Sequence, residues 1–369
     1  MFGGMRGIMK PFSAMYFVRE NKTRCFLLMV MLFLGYVAYL GGLYVSNPRD
    51  NWELPISYYD RFVQVNSVTG DAQDFELFLK EVEESGKAVA VLLGTYNAFH
   101  WNTIMGFESG YATQTFCTVE SFKTYCEYMG ITVDFSSLKT GSMIMSERFA
   151  QNVGLKLGDK VDKDYSENIY REFTLDALTK EDGYMQYFIT DEEDIAYSAL
   201  LVGRNGTQGE ELYRLAEQLK QNHEIYVHDN FGSDIDSQFE TFNMIYMFII
   251  VLVAVIMAVT VNAAFIGMYQ RRNFEFAVYR AIGISKKRII GKIVKELICM
   301  DAAALGVGGG VFFLALYLFN NLVLYPVGKY LRYFHPTALF GFVLCNLAVL
   351  LPLMVTRSRQ MLKADICEY

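Results

Sequence analysis

Between positions 270 and 296 the chain reads QRRNFEFAVYRAIGISKKRIIGKIVKE, with eight cations (Arg271, Arg272, Arg280, Lys286, Lys287, Arg288, Lys292, Lys295) and two anions (Glu275, Glu296). Such a set offers ion pairing and hydrogen bonding rather than covalent chemistry. Phe274, Val278 and Ala281 or Ile282 recur at helical spacing, and Ile289, Ile290 and Ile293 do so after Gly283. The pattern predicts two short amphipathic helices with a bend near Gly283 and Ser285 capping the second. Two roles fit: a solvated loop drawn to anionic lipid, or a knob that docks a cytoplasmic protein.

Catalytic constellations are missing from the sequence. No G-x-x-x-x-G-K-[ST] loop occurs, so an ATP-driven role needs ATP and Mg bound by another polypeptide. HExxH, CxxC and G-x-S-x-G do not occur either, nor does GxGxxG in a strand-to-helix setting. The histidines are His100, His223, His228 and His335, and the spacing of His223 and His228 puts them on opposite faces of a strand. The acid run 191–194 lacks the glycine-containing loop of spaced oxygens that calcium needs. Cys117 and Cys126 are the two cysteines of the long polar segment, and a disulfide between them is open at this level.

The elements that must carry the cationic loop are membrane helices. The composition is 53% hydrophobic and 20% charged over 369 residues, apolar for a soluble protein. Four windows, 25–45, 242–269, 297–319 and 338–355, approach or exceed the ~20 residues that cross a bilayer. Residues 1–24 carry a net charge of +4 and the 270–296 loop +6, whereas 46–241 carry −19. Short cationic flanks stay in the cytoplasm, so both termini and the loop are expected inside, with 46–241 and 320–337 outside. An acidic outer domain argues against nucleic acid as a partner.

Arg271, Arg272, Glu275, Ala277, Arg280, Ala281, Gly283, Ser285 and Lys286 follow the pattern RRxxExAxxRAxGxSK, which resembles the signature of FtsX-like ABC-transporter permeases. A second segment, 143–161, resembles one common in the outer domains of MacB-type permeases. Ser146, Glu147, Arg148, Ala150, Gly154, Leu155, Gly158, Asp159 and Val161 carry that match. The layout agrees: one span, a large outer domain, then three spans with the signature between the second and third.

The resemblance implies a multi-pass protein of the bacterial cytoplasmic membrane with four transmembrane helices and a large α+β extracytoplasmic domain. It implies a separate ABC ATPase subunit, docked on the nine signature residues, and a second permease copy or homologue. An adaptor or accessory protein is left open. ATP binding would close the ATPases and the loop would pass that movement through the second span to the outer domain. Glu275, Arg280 and Gly283 are the expected coupling contacts. The chain itself would not be an enzyme. Export of peptides, antibiotics or lipid-like molecules is the leading role; the alternative is a non-transporting complex that controls a cell-wall hydrolase or sensor kinase. The size of the outer domain favours transport.

Residues 1–24 read as an interfacial helix before the first span, with 356–369 as a cytoplasmic tail. Within 46–241, strands are predicted near 61–68, 88–94, 197–202 and 224–228, and helices over 71–85, 119–129 and 209–221. A strand-rich part over 130–195 divides the region into two subdomains. In the third span, Gly306 and Gly310 are expected to pack within the chain's own bundle, with a subunit-contact face as the alternative. Asp301, a possible intramembrane polar site, is expected to reach the interface or pair with nearby cations. The 320–337 loop is rich in aromatics suited to the membrane interface.

Overall fold

The structure, a computed structural model, describes residues 22–106, 108–109, 112–191, 195–229, 233–270 and 272–363. Two compact units divide the chain, one of residues 47–239 with 320–331 and one of the remainder. The expected N-terminal segment falls almost wholly, and Arg271 entirely, outside the described residues.

In chain order the strands are β1 Phe62–Ser67, β2 Ala88–Gly94, β3 Trp101–Asn102, β4 Glu108–Ser109, β5 Thr113–Phe116, β6 Ser142–Ser146, β7 Lys160–Val161, β8 Phe173–Thr179, β9 Gln186–Ile189, β10 Ile195–Gly203 and β11 Ile225–Val227. The helices are α1 Lys22–Tyr59, α2 Ala72–Glu84, α3 Val119–Met129, α4 Glu147–Val153, α5 Gly209–Leu219, α6 Ser233–Gln270, α7 Asn273–Ala281, α8 Lys286–Phe319 and α9 Pro336–Lys363.

The sheet unit is built on one nine-stranded mixed sheet, ordered β11-β1-β10-β2-β5-β9-β6-β8-β7. It runs unbroken through the region that the sequence pattern divides into two. Alternation assigns neighbouring side chains to opposite faces. Phe62, Ile144, Tyr187, Leu200 and Val202 enter one cluster with Phe122 and Tyr125 of α3. Val63, Val65, Ala199 and Leu201 instead meet Phe75 and Phe78 of α2 and Leu212 of α5. Met143, Met145 and Phe188 pack with Phe149 of α4. With both faces buried, the strands read as apolar runs more than as polar alternation. Cys117 and Cys126 are buried and are not joined by a disulfide.

Helix ends follow local chemistry. Asp71 accepts from the Gln73 and Asp74 amides at the start of α2, and Ser146 from Phe149 N at the start of α4. Gly154 closes α4 at φ +77°, where an L side chain is strained. α1 departs from the sequence reading: it continues through Pro48 and Pro55 to Tyr59, past the expected end of the first span. An internal proline costs about 3 kcal/mol. Burial of one face of α1, at Asn47, Asn51, Pro55 and Tyr58, offsets that cost.

Among the described residues, three stretches are long and apolar enough to cross a membrane: Phe239–Ala263, Lys286–Val327 and Pro336–Thr356. They correspond to the second, third and fourth expected windows; the first window lies within α1. Small residues set the approach distances. A Cβ on Gly42 would sit 2.6 Å from the Ala338 backbone, and one on Gly309 2.8 Å from the Tyr36 hydroxyl. Tyr36 Oη donates to Leu305 O at 2.7 Å, and Tyr246 Oη to Ala38 O at 3.1 Å.

Candidate coupling site

The loop between α6 and α8 folds as a small knob around α7. Gly283 sits at φ +89°; Ile284 N donates to Tyr279 O and Gly283 N to Arg280 O, each at 3.0 Å. This pair of bonds and the left-handed glycine satisfy the last carbonyls of α7 and turn the chain. Ser285 follows, and its carbonyl accepts from Arg288 N and Ile289 N as α8 begins.

The inner side of the knob is a four-charge network. Arg272 donates through Nε to Glu275 Oε2 at 2.9 Å and through Nη1 to Glu296 Oε2 at 2.7 Å. Lys292 Nζ donates to Glu275 Oε1 at 3.3 Å and to Tyr279 Oη at 3.1 Å, and lies 3.9 Å from Glu296 Oε1. Tyr279 Oη donates to Glu275 Oε1 at 2.9 Å. Arg272 also lies over the Phe276 ring, and Lys292 over that of Tyr279. Two cations and two anions balance. Arg272 is 8% exposed, Lys292 5% and Glu296 0%. Burying charge is expensive, so removing one partner leaves its mate uncompensated, at about 3–5 kcal/mol. Burial works to raise the Glu275 carboxyl, but the Arg272 guanidinium, with Tyr279 and Lys292, outweighs it and holds Glu275 below the usual carboxylate range.

Below this network lies an apolar seat. Phe276 packs with Met257, Val261 and Phe265 of α6, Ile289 and Ile293 of α8, and Val349 and Leu353 of α9. The opposite side of α7 is open: Phe274 is 73% exposed, Val278 43% and Ile282 69%. These residues, spaced by four, form an apolar ridge, and Lys287 and Arg288 at the start of α8 are exposed as well.

The signature residues thus divide. Arg272 and Glu275 join inside the knob; Ala277, Arg280 and Lys286 are half-buried; Ala281, Gly283 and Ser285 are exposed. Sequence reasoning gave Tyr279, Lys292 and Glu296 no role. A faint signal existed: Glu296 ends the loop four residues after Lys292, the spacing of a helical ion pair. It also found the spacing of Phe274, Val278 and Ile282 without fixing which way they face.

Two expectations in α8 are revised. Among the described residues, a Cβ on Gly306 or Gly310 meets nothing within 4 Å, and close packing falls on their neighbours Gly308 and Gly309 against Tyr36. Helical phase sets the centres of the two pairs about a third of a turn apart. Asp301, 8% exposed, accepts from Asn346 Nδ2 of α9 at 2.8 Å, a neutral amide rather than a cation. A facing amide supplies a hydrogen bond without a second buried charge.

The stretch containing this knob has a family assignment. Residues 246–361 match the FtsX-like permease C-terminal model. The match covers most of α6, the whole knob, α8 and nearly all of α9. No curated protein matches the chain. Among solved structures, "a domain of a putative Permease protein" from Porphyromonas gingivalis aligns at 14% identity over 46% of this chain and 89% of that one, with a TM-score of 0.28. With residues 246–361 matching that permease model and three described stretches long and apolar enough to span a bilayer, this is a membrane protein.

Proposed function

We propose that the chain is the permease subunit of an ATP-driven complex, in which the 270–296 knob docks a separate ABC ATPase that supplies ATP and Mg chemistry. Its four helices cross the bacterial plasma membrane with both termini and the knob inside, and the sheet unit works outside. A MacB-type arrangement follows, with a second permease copy and with movement rather than passage through the bilayer core as the output. Peptides, antibiotics or lipid-like molecules are the expected cargo.

The observation that carries this reading is the two-sidedness of the knob. A buried, paired network rigidifies it from within, while the Phe274, Val278 and Ile282 ridge stays open beside exposed cations. Bare apolar side chains beside charge suit a protein groove with an acidic rim. Docking falls on the ridge, and Glu275 contributes by shaping the knob.

Co-purification from native membranes tests this. Wild type is expected to bring down a P-loop ATPase, and Phe274→Asp or Val278→Asp to lose at least about tenfold of it, as removal of a central apolar anchor does. Full recovery with both variants, or no ATPase with wild type under gentle extraction, refutes the docking face.

A further inference from the structure

The first twelve residues of the loop that joins α8 to α9, Asn320–Leu331, belong to the sheet unit. Its neck is closed by a fully buried Asn320, whose Nδ2 donates to Leu331 O at 2.9 Å and whose Oδ1 accepts from Leu331 N at 3.0 Å. Its tip is pinned by separate parts of the fold. Tyr184 Oη donates to Gly328 O at 2.7 Å, and Asn47 Nδ2 to Tyr330 O at 2.6 Å. The Arg148 guanidinium lies 4.0 Å from the centre of the Tyr330 ring and pairs with Asp182 at 2.5 Å. Gly328, at φ +63°, is packed so tightly that a Cβ there would collide with Arg148 O and come within 2.6 Å of Asn152 N. Tyr184 is itself fixed by stacking on Trp101, centroids 4.3 Å apart.

A slack twelve-residue segment would absorb displacement. One closed at its neck and held by α1, α4 and the turn before β9 cannot. The chain enters it directly from α8, whose first turns supply Lys292 and Glu296 to the knob network. We propose that α8 is a second transmission strut: movement received at the knob reaches the sheet unit through Asn320–Leu331, with Arg148 on Tyr330 and Tyr184 on Gly328 as the clasp. This rests on the reading that the knob receives movement from an ATPase. It adds a route separate from the direct continuation of α6.

Hydrogen exchange on the full-length chain in complex with its ATPase, with and without ATP plus orthovanadate, tests the strut. In wild type, trapping changes exchange at 272–296 and also at 142–153 and 320–331. In Tyr330→Ala, loop amides exchange about tenfold faster, because the cation–π contact that opposes local opening is gone. The response at 142–153 is then lost while that at 272–296 persists; Tyr330→Phe, which keeps the ring, retains both. Should Tyr330→Ala fail to fold, Tyr184→Phe removes only the hydroxyl on Gly328, and loop exchange rises about threefold, as for one modest hydrogen bond. A folded Tyr330→Ala, or in its place Tyr184→Phe, with a wild-type response at 142–153 overturns the strut, as does a wild type that responds at 272–296 alone. A wild type with no response at 272–296 overturns the functional reading, and the strut with it.

Discussion

Each unit holds a buried charge cluster, and the two are built on different principles. In the knob, two cations face two anions, Arg272 and Lys292 against Glu275 and Glu296. In the sheet unit, His223 lies between two carboxylates of α2, with Nδ1 2.6 Å from Asp74 Oδ1 and Nε2 3.4 Å from Glu81 Oε2. Its ring stacks edge-on against Phe78 and is 7% exposed. The first arrangement is a fixed brace; the second is a brace only while the imidazole carries its proton. The sheet unit has charge to spare, its net of −17 making each internal cation a relief of repulsion.

The largest expected effect comes from breaking the fixed brace. Glu296→Gln leaves Arg272 and Lys292 partly uncompensated, at a cost of about 3–5 kcal/mol. Recovery of the ATPase is expected to fall as far as with Phe274→Asp, by loss of the knob's shape rather than of its surface. The two tryptophans, Trp52 and Trp101, both lie in the sheet unit, so intrinsic fluorescence reports that unit alone. Its thermal transition should not move in Glu296→Gln. A shifted tryptophan transition would show that the two clusters are not independent.

The pH-dependent brace is the intermediate case. Burial works against charge on His223, but the Asp74 and Glu81 carboxylates outweigh it and raise the imidazole above its ordinary 6.5. A raised cationic group contributes fully below its unfolded value and loses that contribution as pH rises through the folded one. Asp74 is lowered by the His223 hydrogen bond, so its share is present above 3.8 and lost as pH falls through the folded value. His228 acts in the opposite sense, since burial lowers it and acid must charge it. The difference between wild type and His223→Gln removes that background. It is expected to be largest at about pH 5 and to shrink by about pH 8.5. A difference that stays constant across this range would show that His223 acts by packing alone.

The sequence made the sheet unit's outline legible where local rules act alone. The bounds of β2 and α3 match their predictions residue for residue, because an apolar run and a capped amphipathic stretch each report themselves. α1 was not legible past position 45, where the apolar run ends, and only tertiary burial of Asn47 and Asn51 shows why helix persists through two prolines. The knob's existence and bend were legible in Gly283 and in the periodicity. Its polarity was not: a heptad-like pattern says that one face is apolar, and the network on the other face depends on Glu296, twenty-four residues from Arg272. The pinning of Asn320–Leu331 was hidden for the same reason, because Arg148 and Tyr184 are remote in sequence.

The smallest effect sharpens the comparison at backbone level. Gly154 closes α4 in the sheet unit at φ +77° and Gly283 closes α7 in the knob at φ +89°, and a Cβ at either meets nothing within 4 Å. Alanine at each therefore costs only the left-handed backbone penalty, about 1–2 kcal/mol. For a unit of this size that corresponds to roughly 2–4 °C per kcal/mol in the sheet unit's tryptophan-monitored midpoint for Gly154→Ala. Gly283→Ala should leave that midpoint unchanged and reduce ATPase recovery by less than Glu296→Gln does. The network still ties α7 to α8 when the turn between them is strained. A Gly283→Ala loss as large as that of Glu296→Gln would place the knob's rigidity in the turn rather than in the buried charges.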